Sequence, residues 1–242
     1  MFALEWEYLT GRYVARAYNE GQSGIEAEWP PHPDRVFQAL VAACGSLGKP
    51  LAEAKALQKL ETLDPPEIYA PDVERPEAQT VFVPANDKTV DVPGCHKRIA
   101  RTFPSVLLPQ GIGASSGDYA CPFCALVWRS EDLDEEDRRA LKTLCNAVTN
   151  IGHSQSFVRM WVAVEAPVPN FIPLADGKRG TPLRVPRSGR FDTLCRAYAG
   201  GGAEWRRPPV GYYQTYTRRE EPERDLPRGV FDSNMIVLRR TG

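Results

Sequence analysis

Residues 133–164, LDEEDRRALKTLCNAVTNIGHSQSFVRMWVAV, contain a complete passage from helix to strand, and their reading decides the fold. Acids crowd the beginning, where the free N–H groups of a first helical turn favour negative charge. Leu141, Leu144, Cys145 and Val148 recur at helical spacing, and Gly152 ends the run. SFVRMWVAV follows at once, β-branched and aromatic, and predicts a strand.

Outward from there, the N-terminal region repeats the pairing in reverse order. FALEWEYLT (2–10) alternates, placing Phe2, Leu4, Trp6 and Tyr8 on one face of a strand. In WPPHPDRVFQALVAACG (29–45) the prolines bar a helix until Pro33, which suits a first helical position. Val36, Phe37, Leu40, Val41 and Cys44 then share a helical face, closed by Gly45. LAEAKALQKLETL (51–63) predicts a second helix, stopped by Asp64-Pro65-Pro66. EIYA (67–70), TVFVP (80–84), TFPSVLL (102–108) and YACPFCALVW (119–128) predict strands, and the polar stretch from Pro84 to Phe103 predicts a projecting loop or hairpin. The main elements run strand, helix, strand, strand, helix, strand. That is an α+β, ferredoxin-like (RRM-like) arrangement, with helix 51–63 and the strands near 80 and 105 as insertions.

The chain has 242 residues, 42 % hydrophobic and 25 % charged, enough for one large or two small domains. No apolar run approaches the roughly 18 residues of a membrane span, and MFALEWEYLT lacks the basic start of a secretory signal. Six cysteines without regular spacing suggest reduced thiols, so a cytoplasmic location is expected.

A net charge of −1 conceals an asymmetry. Between Lys178 and Arg219 ten Lys and Arg face only Asp192 and Glu204, a net +8, whereas residues 1–177 carry −8 and the tail −1. Such a segment points to a polyanion. It also holds Phe191, Tyr198, Trp205, Tyr212, Tyr213 and Tyr216, and aromatic faces among basic groups suit unpaired bases. SGRFDTLCRAYAGGG (188–202) predicts a short helix with Phe191, Leu194 and Tyr198 on one face. Arg184, Arg187 and Arg190 then gather at its N-terminus, the best phosphate site by sequence. Arg206 and Arg207 are further candidates from the same segment.

The remaining chemistry is sparse. His32, His96 and His153 are scattered, with no evident acid–base pair, and His32 between prolines reads as a packed or turn-stabilising residue. No catalytic residue is assigned. Cys121-Pro-Phe-Cys124 lies in an apolar strand rather than at a helix start, and only Cys95-His96 offers further zinc ligands, so structural cysteines are expected, without metal or cofactor. Arg12 and Arg16 flank Tyr13 and are candidate RNA contacts, as are His153 and Ser154 after the helix-closing glycine. Arg159 alternates with Phe157 and Trp161, which marks either an RNA-facing sheet surface or a core edge.

Five blocks also carry a family resemblance: LTGRYVARAYN (9–19), EWPPHPDRVFQALVAA (28–43), RTFPSVLLP (101–109), IGHSQSFVRMWV (151–162) and LRVPRSGRFDTLCRAYAGGGAEWRRP (183–208). In this order they resemble the type I-G (formerly I-U) CRISPR protein that fuses the fifth and sixth Cas families. The resemblance implies a RAMP-superfamily fold with a thumb-like hairpin inserted at about 84–118, on which Lys97, Arg98 and Arg101 would touch RNA backbone. It implies a ferredoxin-like domain at 1–176, a basic RNA-contacting extension at 177–228, and at 229–242 the start of an otherwise missing handle-cutting domain. The implied role is capping the 5′ handle of a CRISPR RNA in a type I-G surveillance (Cascade) complex. Backbone (seventh Cas family) and large (eighth Cas family) subunits would be partners, with target DNA met indirectly and no membrane. The alternative is a metal-independent endoribonuclease that processes the repeat. This segment is expected to bind RNA without cutting it.

Overall fold

The computed structural model describes residues 1–17, 26–84, 98–109, 122–130, 132–175, 177–201 and 211–219. Strand β1 (Phe2–Tyr8) sends Phe2, Leu4, Trp6 and Tyr8 into the main core, and short β2 (Arg12–Val14) follows. Helix α1 (Pro33–Ser46) begins at Pro33, and α2 (Leu51–Leu60) begins after Pro50. Next come β3 (Glu67–Tyr69), β4 (Gln79–Pro84), β5 (Arg98–Phe103), β6 (Ser105–Leu107) and β7 (Phe123–Trp128). Helix α3 (Glu135–Ala147) is fixed at its start by a capping box: Asp134 accepts the Asp137 N–H at 2.9 Å and Asp137 accepts the Asp134 N–H at 3.2 Å. Beyond it lie β8 (Val158–Ala163), β9 (Phe171–Pro173), β10 (Thr181–Val185), α4 (Arg190–Gly200) and β11 (Tyr212–Arg218).

Seven strands form one antiparallel sheet in the order β10-β11-β9-β3-β7-β1-β8. Within it, β3-β7-β1-β8 with α1 and α3 is the ferredoxin-like unit expected, and α2 is an insertion before β3. The register sets Phe2 opposite Trp128, whose rings stack at 5.0 Å between centroids. β9, β10 and β11 were not foreseen; they widen the sheet beyond β3. The sheet wraps around α1, so that Leu4 of β1 and Leu183 and Val185 of β10 share one core although four strands separate them.

Two details differ from expectation. TFPSVLL is not one strand: Pro104 divides it, and β5 pairs β4 while β6 pairs β2. A proline contributes no ladder N–H, so the chain changes partner there. Helix α4 starts at Arg190 rather than Ser188, because Gly189 adopts φ 85°, a conformation open to glycine.

The two sheet edges are unlike. On β10 the outward-facing N–H positions are 182 and 184; Pro182 has no N–H, and the Arg184 N–H donates to His32 Nδ1 at 3.3 Å. On β8 the Val158 N–H reaches the Thr149 carbonyl at 3.0 Å, and among the described residues no strand pairs the remainder. Among the described residues no helix is long and apolar enough to cross a membrane.

Candidate nucleic-acid interface

The basic segment meets the acidic body inside the fold. Glu28, 1 % exposed, accepts hydrogen bonds from Tyr13 Oη (2.7 Å), Arg35 Nε and Nη2 (both 2.7 Å) and Arg184 Nη2 (2.8 Å). Burial alone would raise its carboxyl, but Arg35, His32 and Arg184 outweigh that and hold it at about 2. His32 Nδ1 accepts the Arg184 Nε–H at 3.0 Å, and burial, reinforced by the two neighbouring guanidiniums against Glu28, holds the ring down at about 4. It is a neutral, packed residue. Asp34, 0 % exposed, takes Arg190 in a bidentate pair, Nε and Nη2 both at 2.7 Å, plus Gln38 at 2.8 Å. A Cβ on Gly211 would lie 2.8 Å from that carboxylate, so β11 begins hard against it. Glu61, 5 % exposed, accepts the Gly189 N–H at 2.7 Å and the Phe191 N–H at 2.6 Å.

These contacts correct the expected phosphate site. The N-terminus of α4 does favour an anion, but Glu61 is that anion. Arg184 and Arg190 are buried against Glu28 and Asp34, so neither presents a surface guanidinium. Arg187 alone of the three is exposed, lying 4.7 Å from the Tyr212 ring centre. Glu28, Asp34 and Glu61 are the residues the sequence reading missed. Their signal was the matched −8 and +8 of body and segment.

Arg159 is resolved similarly. It shares the helix-free sheet face with Trp161, but that face also holds Glu5 and Glu7. The Arg159 guanidinium pairs Glu7 at 2.9 Å, and Trp161 Nε1 donates to Glu5 at 2.8 Å. Small residues, Ala3, Ala125 and Val127, line the centre. With two acids to one guanidinium, the face is unlike a basic RNA platform.

A different set of candidates converges. β2 pairs β6, with Arg12 opposite Leu107 and Val14 opposite Ser105, which brings Arg12 and Arg16 beside the strand continuing from β5. Alternation turns Tyr13 inward to Glu28 and leaves Arg12 and Arg16 on the opposite side. Arg16 Nη2 donates to the Thr102 carbonyl at 3.3 Å. Arg12 has a buried Nε with no hydrogen-bond partner among the described residues, an orphan donor that calls for a ligand or water. The α3–β8 turn closes against the same place. Gly152, at φ 90°, lets it approach within reach of Val14, whose carbonyl takes the His153 N–H at 2.9 Å. The His153 ring meets Phe103 edge-on at 5.0 Å, its Nδ1 accepting the Gln155 N–H at 3.3 Å, and Ser154 beside it is exposed.

From this base rises the β4–β5 hairpin, Gln79 opposite Phe103 through Pro84 opposite Arg98. Arg101, on the Phe103 face, and Arg98 are exposed. Both hairpin faces carry uncovered apolar groups: Val81 is 40 % and Phe82 64 % exposed. Lys97, Arg206 and Arg207 lie outside the described residues, as do Cys95, His96 and Cys121. Cys124 is a core residue of β7, its thiol pushed well up by burial.

The family model described as CRISPR-associated protein, GSU0054 family, matches residues 5–100. The match supports a CRISPR-associated protein. It runs from within β1 through β2, α1, α2, β3 and β4 to the first residues of β5, and so includes Arg12, Arg16, Arg98 and the buried acids Glu28 and Asp34 but not Arg101. No curated protein matches the chain. Among solved structures the chain is similar to a CRISPR protein from Archaeoglobus fulgidus, at 15 % identity and TM-score 0.37, over 88 % of this chain and 84 % of that one. That likeness is too loose to bear on function.

Proposed function

We propose that this chain is a non-catalytic RNA-binding subunit of a type I CRISPR surveillance complex, one that holds the 5′ handle of the CRISPR RNA at the hairpin base. One observation carries the reading: Arg12, Arg16 and His153, far apart in sequence, gather at the base of a hairpin that is exposed on both faces and carries Arg101 near that base and Arg98 at its far end. Guanidiniums neutralise phosphates, and half-open rings such as His153 and Phe103 offer faces to unpaired bases. The RAMP-type thumb, the type I-G fusion assignment and the backbone and large subunits as neighbours follow from the family resemblance; the match over residues 5–100 supports the CRISPR association they presuppose.

Filter binding of a labelled single-stranded repeat handle against salt tests the reading. Its slope is expected near −0.7 per neutralised phosphate. Arg98→Glu with Arg101→Glu should lower both affinity and slope, with the thermal midpoint unchanged. An unchanged slope places the RNA elsewhere. In the same samples, with chelator, the RNA should remain intact. Site-specific cleavage by residues 1–242 would establish the endoribonuclease reading instead.

A further inference from the structure

A second cluster, well away from the hairpin base, has the makings of a nucleobase site. β11 lies four strands from β1 in the sheet, and at its start a cleft of about 510 Å³ opens between the α2–β3 turn and the β10–α4 turn. Its size is that of an ordinary small-ligand cleft. Asp64, Pro65, Pro186, Arg187, Tyr212 and Gln214 line it. Tyr212 is 58 % exposed although it belongs to a sheet strand, and the Arg187 guanidinium lies 4.7 Å from its ring centre. Gln214 Nε2 is tied to the Leu174 carbonyl at 2.5 Å, so its amide is held in place with the oxygen left as an acceptor. The Asp64 carboxylate is exposed and has no hydrogen-bond partner among the described residues, while Glu61 beside it is already engaged by the α4 N-terminus.

We infer that this cleft binds one unpaired base of a single-stranded RNA, preferably guanine, stacked on the Arg187–Tyr212 pair. Bases stack on aromatic rings and on guanidinium planes alike, and the two lie together here. The pyrrolidine rings of Pro65 and Pro186 supply apolar walls. Guanine is favoured because its N1–H and N2–H donors lie side by side, matching the two oxygens of Asp64. Uracil presents one such donor and two carbonyls that the carboxylate repels. Arg187 also supplies the positive charge that the flanking phosphate needs. The inference rests on the RNA-binding reading but uses none of the hairpin-base residues.

Two ten-nucleotide RNAs serve as probes, all-uridine and uridine with one central guanosine, titrated into the full chain by fluorescence anisotropy. The guanosine RNA should bind about fivefold or more tightly, in line with one additional hydrogen bond to a charged carboxylate. Tyr212→Ala and Asp64→Ala should each abolish the difference, and Tyr212→Phe should keep it, all with unchanged thermal midpoints. Equal binding of the two RNAs, or a preference that survives Tyr212→Ala, overturns the inference. If Arg98→Glu with Arg101→Glu still weakens both RNAs in that case, the hairpin-base reading stands alone. If the unsubstituted chain binds neither RNA, both fall.

Discussion

Arg184 shows how a residue can be legible in kind and misplaced in role. Its position in a basic segment pointed to phosphate, but its partners are Glu28 and His32, which lie more than 150 residues earlier. Nothing in a local window shows that a distant carboxylate will be buried against it. Removing one side of such a pair leaves an uncompensated buried charge, at a cost of about 3–5 kcal/mol. Asp34→Ala is therefore expected to lower stability by that amount in urea unfolding, whereas Arg187→Ala, on the surface, should change it little. The same cluster sets an acid response. His32 is held at about 4, below its ordinary 6.5, so between those values the unfolded chain takes up a proton that the native state refuses. Stability then falls as pH drops through that window, by about 3 kcal/mol at most. Glu28, held at about 2 rather than 4.5, contributes fully above 4.5 and is lost as pH falls below it. Thermal midpoints should thus decline from pH 7 downward, and His32→Asn, which keeps an acceptor for Arg184, should flatten the upper part of the decline.

At the scale of elements, periodicity served well where one face is buried. The 3.6-residue stripes of α1 and α3 and the alternation of β1 were plain, and with them the ferredoxin-like core. β9 and β10 were hidden because they are short and contain Pro173 and Pro182, and β10 also belongs to a stretch whose charge dominates its pattern. TYTR in β11 reads as readily as loop. In the β4–β5 hairpin β4 was legible as the strand TVFVP, but β5 only as part of a polar projection, since neither face alternates toward a core. A two-stranded ribbon exposed on both sides is marginal by itself. Phe82→Ser, on the face away from Phe103, should leave the thermal midpoint within about 1 °C, because little apolar area is buried there. If the hairpin grips RNA through that face, the handle affinity should drop several-fold in the same protein.

Across the whole molecule, the charge asymmetry proves to have two parts. Some of the +8 closes the fold through Glu28, Asp34 and Glu61, and the rest remains available to a polyanion. A chain of residues 1–176 would keep the three acids buried without Arg184, Arg190 or the α4 N-terminus. It is expected to lack a cooperative melting transition, while residues 1–219 retain one; calorimetry of the two distinguishes them. Salt should weaken RNA binding far more than it weakens folding, since buried pairs are screened less than surface contacts.

The unlike edges of the sheet have a further consequence. Polymerisation by strand addition needs two receptive borders, one to dock and one to be docked upon. Here Pro182 and the His32-capped Arg184 withhold the donors from one border, while among the described residues β8 keeps the other open. A visiting strand can therefore be accepted once, past β8, and the stack cannot continue on the far side. At high concentration this chain is built to stop at a pair rather than to grow into fibres.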